Sequence, residues 1–316
     1  MQKTINLKTT LLLAGLLCFW LSSSAQATDR VVVIPMGGGT LKNVVTVAKA
    51  NGKFTDPLAA VNSITDASAT NPYLVLIAPG QYTLTTTLVM KPYVDITGSG
   101  ENVTLLTGAI STTNPDATSA VVKGANHATL SNLSISNTGG NQYSLGIYTT
   151  GLGISARLQQ VLATATGGTF NFGVLNVTNS SPIMTDMNVI AGGGGTANAG
   201  VVNNINSSPI MTEVNIVVLG GTIINYGVYN IASSSPIMTG LNTVVSGGTT
   251  NYGVYNDSSS PIIRRSSIAG ATDGLANSSA TATISQSTIL NGVSGGGYTC
   301  VACDNGAGGA LNAACL

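Results

Sequence analysis

Ser181-Pro182-Ile183-Met184-Thr185 recurs as Ser208-Pro209-Ile210-Met211-Thr212 and Ser235-Pro236-Ile237-Met238-Thr239, and Ser260-Pro261-Ile262-Ile263 closes the series. The prolines step by 27, 27 and 25 residues. A second marker keeps the same phase: Asn171-Phe172-Gly173-Val174, Asn198-Ala199-Gly200-Val201, Asn225-Tyr226-Gly227-Val228 and Asn251-Tyr252-Gly253-Val254. Gly146 lies 27 residues before Gly173 and carries the array toward the N-terminus. A fixed period of this length marks a solenoid. Pro, Gly-Gly and β-branched residues at this density exclude a helical repeat. Short strand-like runs split by Asn, Ser and Gly turns remain, and they predict an all-β, single-stranded right-handed parallel β-helix.

Successive coils of such a helix stack at about 4.8 Å, so columns can be read from the phase. Val174, Val201, Val228 and Val254 form an apolar column assigned to the core. Asn176, Asn203, Asn230 and Asn256 form an amide column, and Asn188, Asn215 and Asn242 form another. Stacked amides can bond along a column, so a structural role is expected for both. A solenoid needs its ends covered. Asp56 to Ile64 is expected to be a short cap helix, with Asp56 as N-cap, Pro57 as first helical residue, and Leu58, Val61 and Ile64 on one face.

The chain has 316 residues, 39 of them glycine, and only 7% are charged. Eleven basic residues balance eleven acidic ones. No basic stripe is available for phosphates, so nucleic acid is not an expected partner. Lys3 and Lys8 precede the apolar run Leu11 to Leu21, and Ala25-Gln26-Ala27 follows. This is the pattern of a cleaved secretory signal. The run is short for a membrane span, and no span is expected after signal removal. The expected organisation is a signal at 1–27, an N-terminal segment with the cap helix at 28–72, the β-helix at 73–295 and a C-terminal cap at 296–316. Export permits disulfides. Cys300, Cys303 and Cys315 are read as a clip, with Cys315 bonded to Cys300 or to Cys303. Cys300-Val301-Ala302-Cys303 has no second pair and no nearby His, so neither a metal nor a cofactor is expected.

The stretch from about residue 45 to 140 resembles the pectin lyase-like superfamily, and within it the pectinesterases. The resemblance is carried by Val45 to Thr55, Ala59-Ala60-Val61 and Ile77-Ala78-Pro79-Gly80-Gln81-Tyr82. Asp95-Ile96-Thr97-Gly98-Ser99-Gly100, Leu106-Thr107-Gly108 and Leu133 to Gly139 extend it. It implies the β-helix fold and a polysaccharide-related ancestry. Pectinesterases are expected to use two aspartates, an arginine and flanking glutamines. The family's two aspartate segments fall near Thr166-Gly167-Gly168-Thr169 and Asn171-Phe172-Gly173. No carboxylate stands at either place, so the resemblance transfers no catalytic residue.

Repeat phase offers two other candidates. Asp186 and Glu213 follow their repeat prolines by four residues and should be neighbours on adjacent coils. A carboxylate pair at about 5 Å suits a retaining glycosidase, but Gly240 and Arg265 continue the column and no third polar partner is evident. Tyr148, Tyr229 and Tyr255 share a column with Leu175 and Val202, one residue beyond the core column. Strand alternation points this column outward, where tyrosines suit sugar recognition and serve cross-strand packing equally well. Phe172, Tyr226 and Tyr252 form a separate column, expected to be partly buried. His127, the single histidine, is expected at a turn.

Together these features predict an exported, non-catalytic β-helix repeat protein with a carbohydrate-binding or surface structural role. The expected partner is a polysaccharide or cell-surface component. A pectinesterase-like or polysaccharide-lyase-like enzyme is the alternative. The expected location is extracellular or at the cell surface, with the periplasm as a further possibility, and the oligomeric state stays open.

Overall fold

The computed structural model describes residues 43–193 and 195–316; the signal assigned to 1–27 lies outside the described residues. The chain winds into a right-handed parallel β-helix. Its strands form a 16-stranded and a 10-stranded sheet, called here the first and second sheets. A single coil shows the plan. Ile237–Thr239 and Asn242–Ser246 lie in the first sheet and Thr250–Asp257 in the second. Gly240, with φ of 66°, makes the bend between the first two strands. In the two preceding coils these strands run on as Ile183–Gly192 and Ile210–Leu219, bent at Asp186 and Glu213, each with φ of 51°.

Register follows the sequence repeat. Ile183 pairs with Ile210, Ile210 with Ile237 and Ile237 with Ile262. Val174, Val201, Val228 and Val254 are in register and fully buried. Each such side chain contributes about 1.5–3 kcal/mol from burial. Met184, Met211, Met238 and Ile263 form a second buried column.

The repeat prolines open their strands, where the missing N–H is not needed. Their carbonyls still serve the ladder: Ile210 N–H donates to the Pro182 carbonyl and Ile237 N–H to that of Pro209. The serine before each proline bonds along the stack, with Ser208 N–H donating to Ser181 Oγ and Ser235 N–H to Ser208 Oγ. The repeat glycines answer to a close approach of backbone. A Cβ on Gly200 would lie 2.8 Å from the Gly227 carbonyl oxygen, and one on Gly173 would lie 2.9 Å from that of Gly200.

Two amide ladders run inside the coil. Asn176 donates to Asn203, Asn203 to Asn230, Asn230 to Asn256 and Asn256 to Asn277, at 2.8–2.9 Å. Asn171 donates to Asn198, Asn198 to Asn225 and Asn225 to Asn251, at 2.8–3.0 Å. The uniform polarity of the second run sets the orientation of the Asn198 amide. Each rung satisfies a polar group that burial would otherwise strand.

The stack extends past both ends of the 73–295 span. Val44–Val47 already pairs with Tyr73–Ile77, and Tyr298–Val301 still pairs with Ala282–Ser285. The cap helix spans Pro57–Asn62. The Asp56 side chain accepts from Leu58 N–H, and Pro57 stands at the first turn. Ala60, Val61 and Ile64 join the core from this end. At the other end Cys300 is bonded to Cys315, and Cys303 is buried and free. Among the described residues no helix is long and apolar enough to cross a membrane.

Candidate functional site

The second sheet has an apolar outer face, and the repeat glycine creates it. In the strands Tyr143–Thr150, Phe170–Val177, Ala197–Asn204, Ile224–Ile231 and Thr250–Asp257, the glycine drops out of the paired register. Alternation is therefore interrupted at one place in every strand. The residue before the glycine and the residue two after it both face outward. The column Leu145, Phe172, Ala199, Tyr226 and Tyr252 thus lies beside the column Tyr148, Leu175, Val202, Tyr229 and Tyr255. The sequence treats these as separate columns. In the structure members of both form one cluster, distinct from the core inside the coil.

The tyrosines pack against one another. The Tyr226 and Tyr229 rings stack at 4.5 Å with 13° between planes. Tyr255 meets Tyr229 edge-on at 5.6 Å and Tyr252 at 5.0 Å. Such contacts hold the rings in place at little entropic cost. Burial pushes the Tyr226, Tyr229 and Tyr252 hydroxyls up from the ordinary tyrosine range, and the negative charges of Asp257 and Asp273 add to it. At the other end Tyr143 stacks on Phe170 at 5.0 Å. Between these aromatic blocks the outward residues are small: Ala197, Ala199 and Val202. A depression of about 240 Å³ lies over Leu175 and Val202, walled by Phe170, Phe172 and Tyr229, with Asn204 at its edge.

Asp186 and Glu213 occupy equivalent bends on adjacent coils of the first sheet, and both are exposed. A Cβ on Gly240, in the next coil, would lie 2.8 Å from Glu213 Oε2, so that carboxylate lies over the glycine. The acids are on the first sheet and do not line the depression of the second. His127 sits at a turn with φ of 53°, its ring stacked on Tyr93 at 4.9 Å.

The positions where the pectinesterase resemblance would place carboxylates are taken up by architecture. Gly167, with φ of 88°, and Gly168 make the turn into the second sheet. Asn171 is fully buried, donating to the Gly168 carbonyl and accepting from Gly168 N–H while it opens the second ladder. One link of the Asn188–Asn215 column escaped sequence reading, its contact with Glu101. Asn215 donates to Asn188, and Asn188 donates to Glu101 Oε2 at 2.8 Å. These residues border a shallow groove of about 270 Å³ on the first sheet, with Leu162 and Ile190 as apolar wall. The phase gives no hint of it, because Glu101 belongs to a non-repeating turn.

No protein-family model and no curated protein matches this chain. Solved structures do match it. A pectin methylesterase from carrot is 15% identical, with 82% of this chain and 76% of that one covered at a TM-score of 0.52. The pectin methylesterase from Aspergillus niger is 14% identical, with 84% of each chain covered at a TM-score of 0.51. This chain is thus similar to the pectin methylesterases in fold, a right-handed parallel β-helix, with little sequence in common.

Proposed function

We propose that this chain is an exported β-helix protein that holds polysaccharide on the outer face of its second sheet and does not turn it over. The aromatic face carries the reading. Tyr148, Tyr229 and Tyr255, with Phe172, Tyr226 and Tyr252 beside them, are ordered, part-exposed rings on a rigid sheet. A patch of part-exposed rings of this kind suits an interaction site. The methylesterases that share the fold act on pectin, itself a polysaccharide. Buried Asn171 and the glycine turn before it leave those positions without the carboxylates that ester hydrolysis needs. The sequence supports export through Lys3, Lys8, Leu11 to Leu21 and Ala25-Gln26-Ala27, to the outside of the cell or its surface.

The test is affinity electrophoresis of the purified mature protein in a panel of polysaccharide gels, beside assays for released methanol, reducing ends and unsaturated ends. Retardation by at least one polysaccharide is expected, weakened at least about tenfold in the Tyr229→Ala/Tyr255→Ala variant and with no product formed. Binding that survives loss of both tyrosines refutes the face. Turnover by the native protein refutes the non-catalytic reading and favours a pectinesterase-like or lyase-like enzyme.

A further inference from the structure

The outer face of the second sheet is uncharged over a long stretch. From the strand Tyr143–Thr150 to the strand Ile224–Ile231, its outward positions hold only aromatic, aliphatic, hydroxyl and amide side chains. Charge enters only at the rims. Lys123 is in register with Tyr148 at one end. At the other end Asp257 is in register with Ile231, and Asp273 with Tyr252. The tyrosine block therefore lies against two carboxylates. The fields of Asp257 on Tyr226 and Tyr229, and of Asp273 on Tyr252, disfavour a further negative charge on those rings.

The walls of the depression are set by the coil spacing. Phe172 and Tyr229, which wall it, lie two coils apart in adjoining columns, about 10 Å at the inter-strand distance. The intervening coil presents Val202, which its neighbours bury, and Asn204. The strip is thus a low floor between raised aromatic walls, with one amide, Asn204, at its edge. A concave apolar site with few polar groups takes a ligand with an apolar face and fixes it through those groups. A sugar ring presents C–H faces and a hydroxyl edge. A uronate ring adds a carboxylate that would lie toward Asp257, in register with Ile231 at the edge of the depression, while Lys123 and Asp273 each stand three coils away. Like charges brought together in this way exclude a partner more than they weaken one.

We propose that this face selects uncharged glycans, with one sugar unit seated over Leu175 and Val202 between Phe172 and Tyr229, and rejects polyuronates. The proposal rests on the glycan-binding reading above and adds the class of glycan.

A matched pair of probes tests it: polygalacturonate and the same polymer fully methyl-esterified, which differ in charge along one backbone. Neutral xylan and galactan serve beside them. At low salt the native mature chain should bind the esterified or a neutral polymer at least about tenfold more tightly than polygalacturonate. The gap should narrow with added salt and in the Asp257→Asn/Asp273→Asn variant. Equal or tighter binding of polygalacturonate by the native chain overturns the selectivity while leaving the glycan-binding reading in place. Val202→Trp, which fills the strip from outside the coil, should abolish binding with an unchanged circular dichroism spectrum; binding that persists overturns the placement of the sugar. Binding of no glycan by the native chain overturns both readings. So does a native oligomer that Val202→Asp converts to monomer, because the face then belongs to a second copy.

Discussion

Asn176 donates to Asn203 across 2.9 Å inside the coil, and Asn203 passes the bond on to Asn230. All three amides are fully buried. Removing the middle rung leaves a donor above and an acceptor below without partners, each costing about 1–3 kcal/mol. Asn203→Ala is therefore expected to destabilise the protein by about 2–5 kcal/mol in urea unfolding. Ser144 supplies the contrast. Its hydroxyl is buried with no partner, so Ser144→Ala should be neutral or stabilising, within about 1 kcal/mol. A large loss in the second variant, or none in the first, contradicts the ladder account.

Gly200 tests the close approach of neighbouring coils. Its φ lies outside the left-handed region, so strain is not the issue; space is. A methyl there meets the Gly227 carbonyl oxygen and the Ile216 side chain. Gly200→Ala is expected to cost about 1–3 kcal/mol by overpacking. Ile216→Val in the same chain should recover little, since backbone remains in the way. The measurement is the urea midpoint of both variants.

The Cys300–Cys315 bond closes a loop over the last coil. A loop of this size constrains the unfolded chain by about 3 kcal/mol. In a solenoid the effect is felt mainly at the nearest coils. Cys300→Ser/Cys315→Ser should therefore expose the C-terminal coils to protease and free Cys303 for alkylation, while coils around Val201 stay protected. Uniform loss of protection along the chain would count against this.

Stability should fall in strong base. Burial raises the Tyr226, Tyr229, Tyr252 and Tyr298 hydroxyls above the unfolded value near 10. A group whose folded pKa is raised keeps its proton longer in the folded state. Its contribution is complete below about pH 10 and is lost as pH rises from there through the folded values. Phenolate absorbance in the native state should lag behind that of the urea-unfolded chain, and Tyr226→Phe should flatten the alkaline fall. Native and unfolded titrations that coincide would remove the basis for this.

Asp186 and Glu213 deserve a direct experiment because the phase singles them out. Both are exposed at bends, away from the aromatic depression. The Asp186→Asn/Glu213→Gln variant is expected to bind polysaccharide like the native protein and to unfold within about 0.5 kcal/mol of it. A polysaccharide turnover that disappears in this variant would instead assign them a catalytic role.

The repeat made most of the fold readable. Pro182, Pro209 and Pro236 fix the phase, and the phase places Val201 over Val174 and Asn203 over Asn176 without any contact being known. Asp56 and Pro57 announce the cap helix through local chemistry alone. The aromatic face was only half legible. Columns such as Tyr226 and Tyr229 can be drawn from the period, but a strict alternation separates them. The break at Gly227 that joins them is a matter of backbone geometry. The second amide ladder was missed for a related reason: Asn171, Asn198, Asn225 and Asn251 read only as part of the glycine marker, and which way they point depends on that same backbone break. The choice of Cys300 over Cys303 depends on where the last loop folds back, which spacing does not encode. The Glu101–Asn188 contact joins a unique turn to a repeated strand across 87 residues, and no periodicity reaches it.

The inward amides also set the grain in which this chain can change length. A rung is complete only when the next coil presents an amide at the same height. An insertion of a few residues within the strand would set Asn203 against a valine and leave carboxamides stranded in oil, whereas the turns absorb such changes, as bonded rungs 27, 26 and 21 residues apart show. A whole duplicated coil brings its own valine, serine and amide already in step, and asks nothing new of its neighbours. Within its strands the protein is therefore built to lengthen or shorten one full turn at a time, while its turns are free to vary in size.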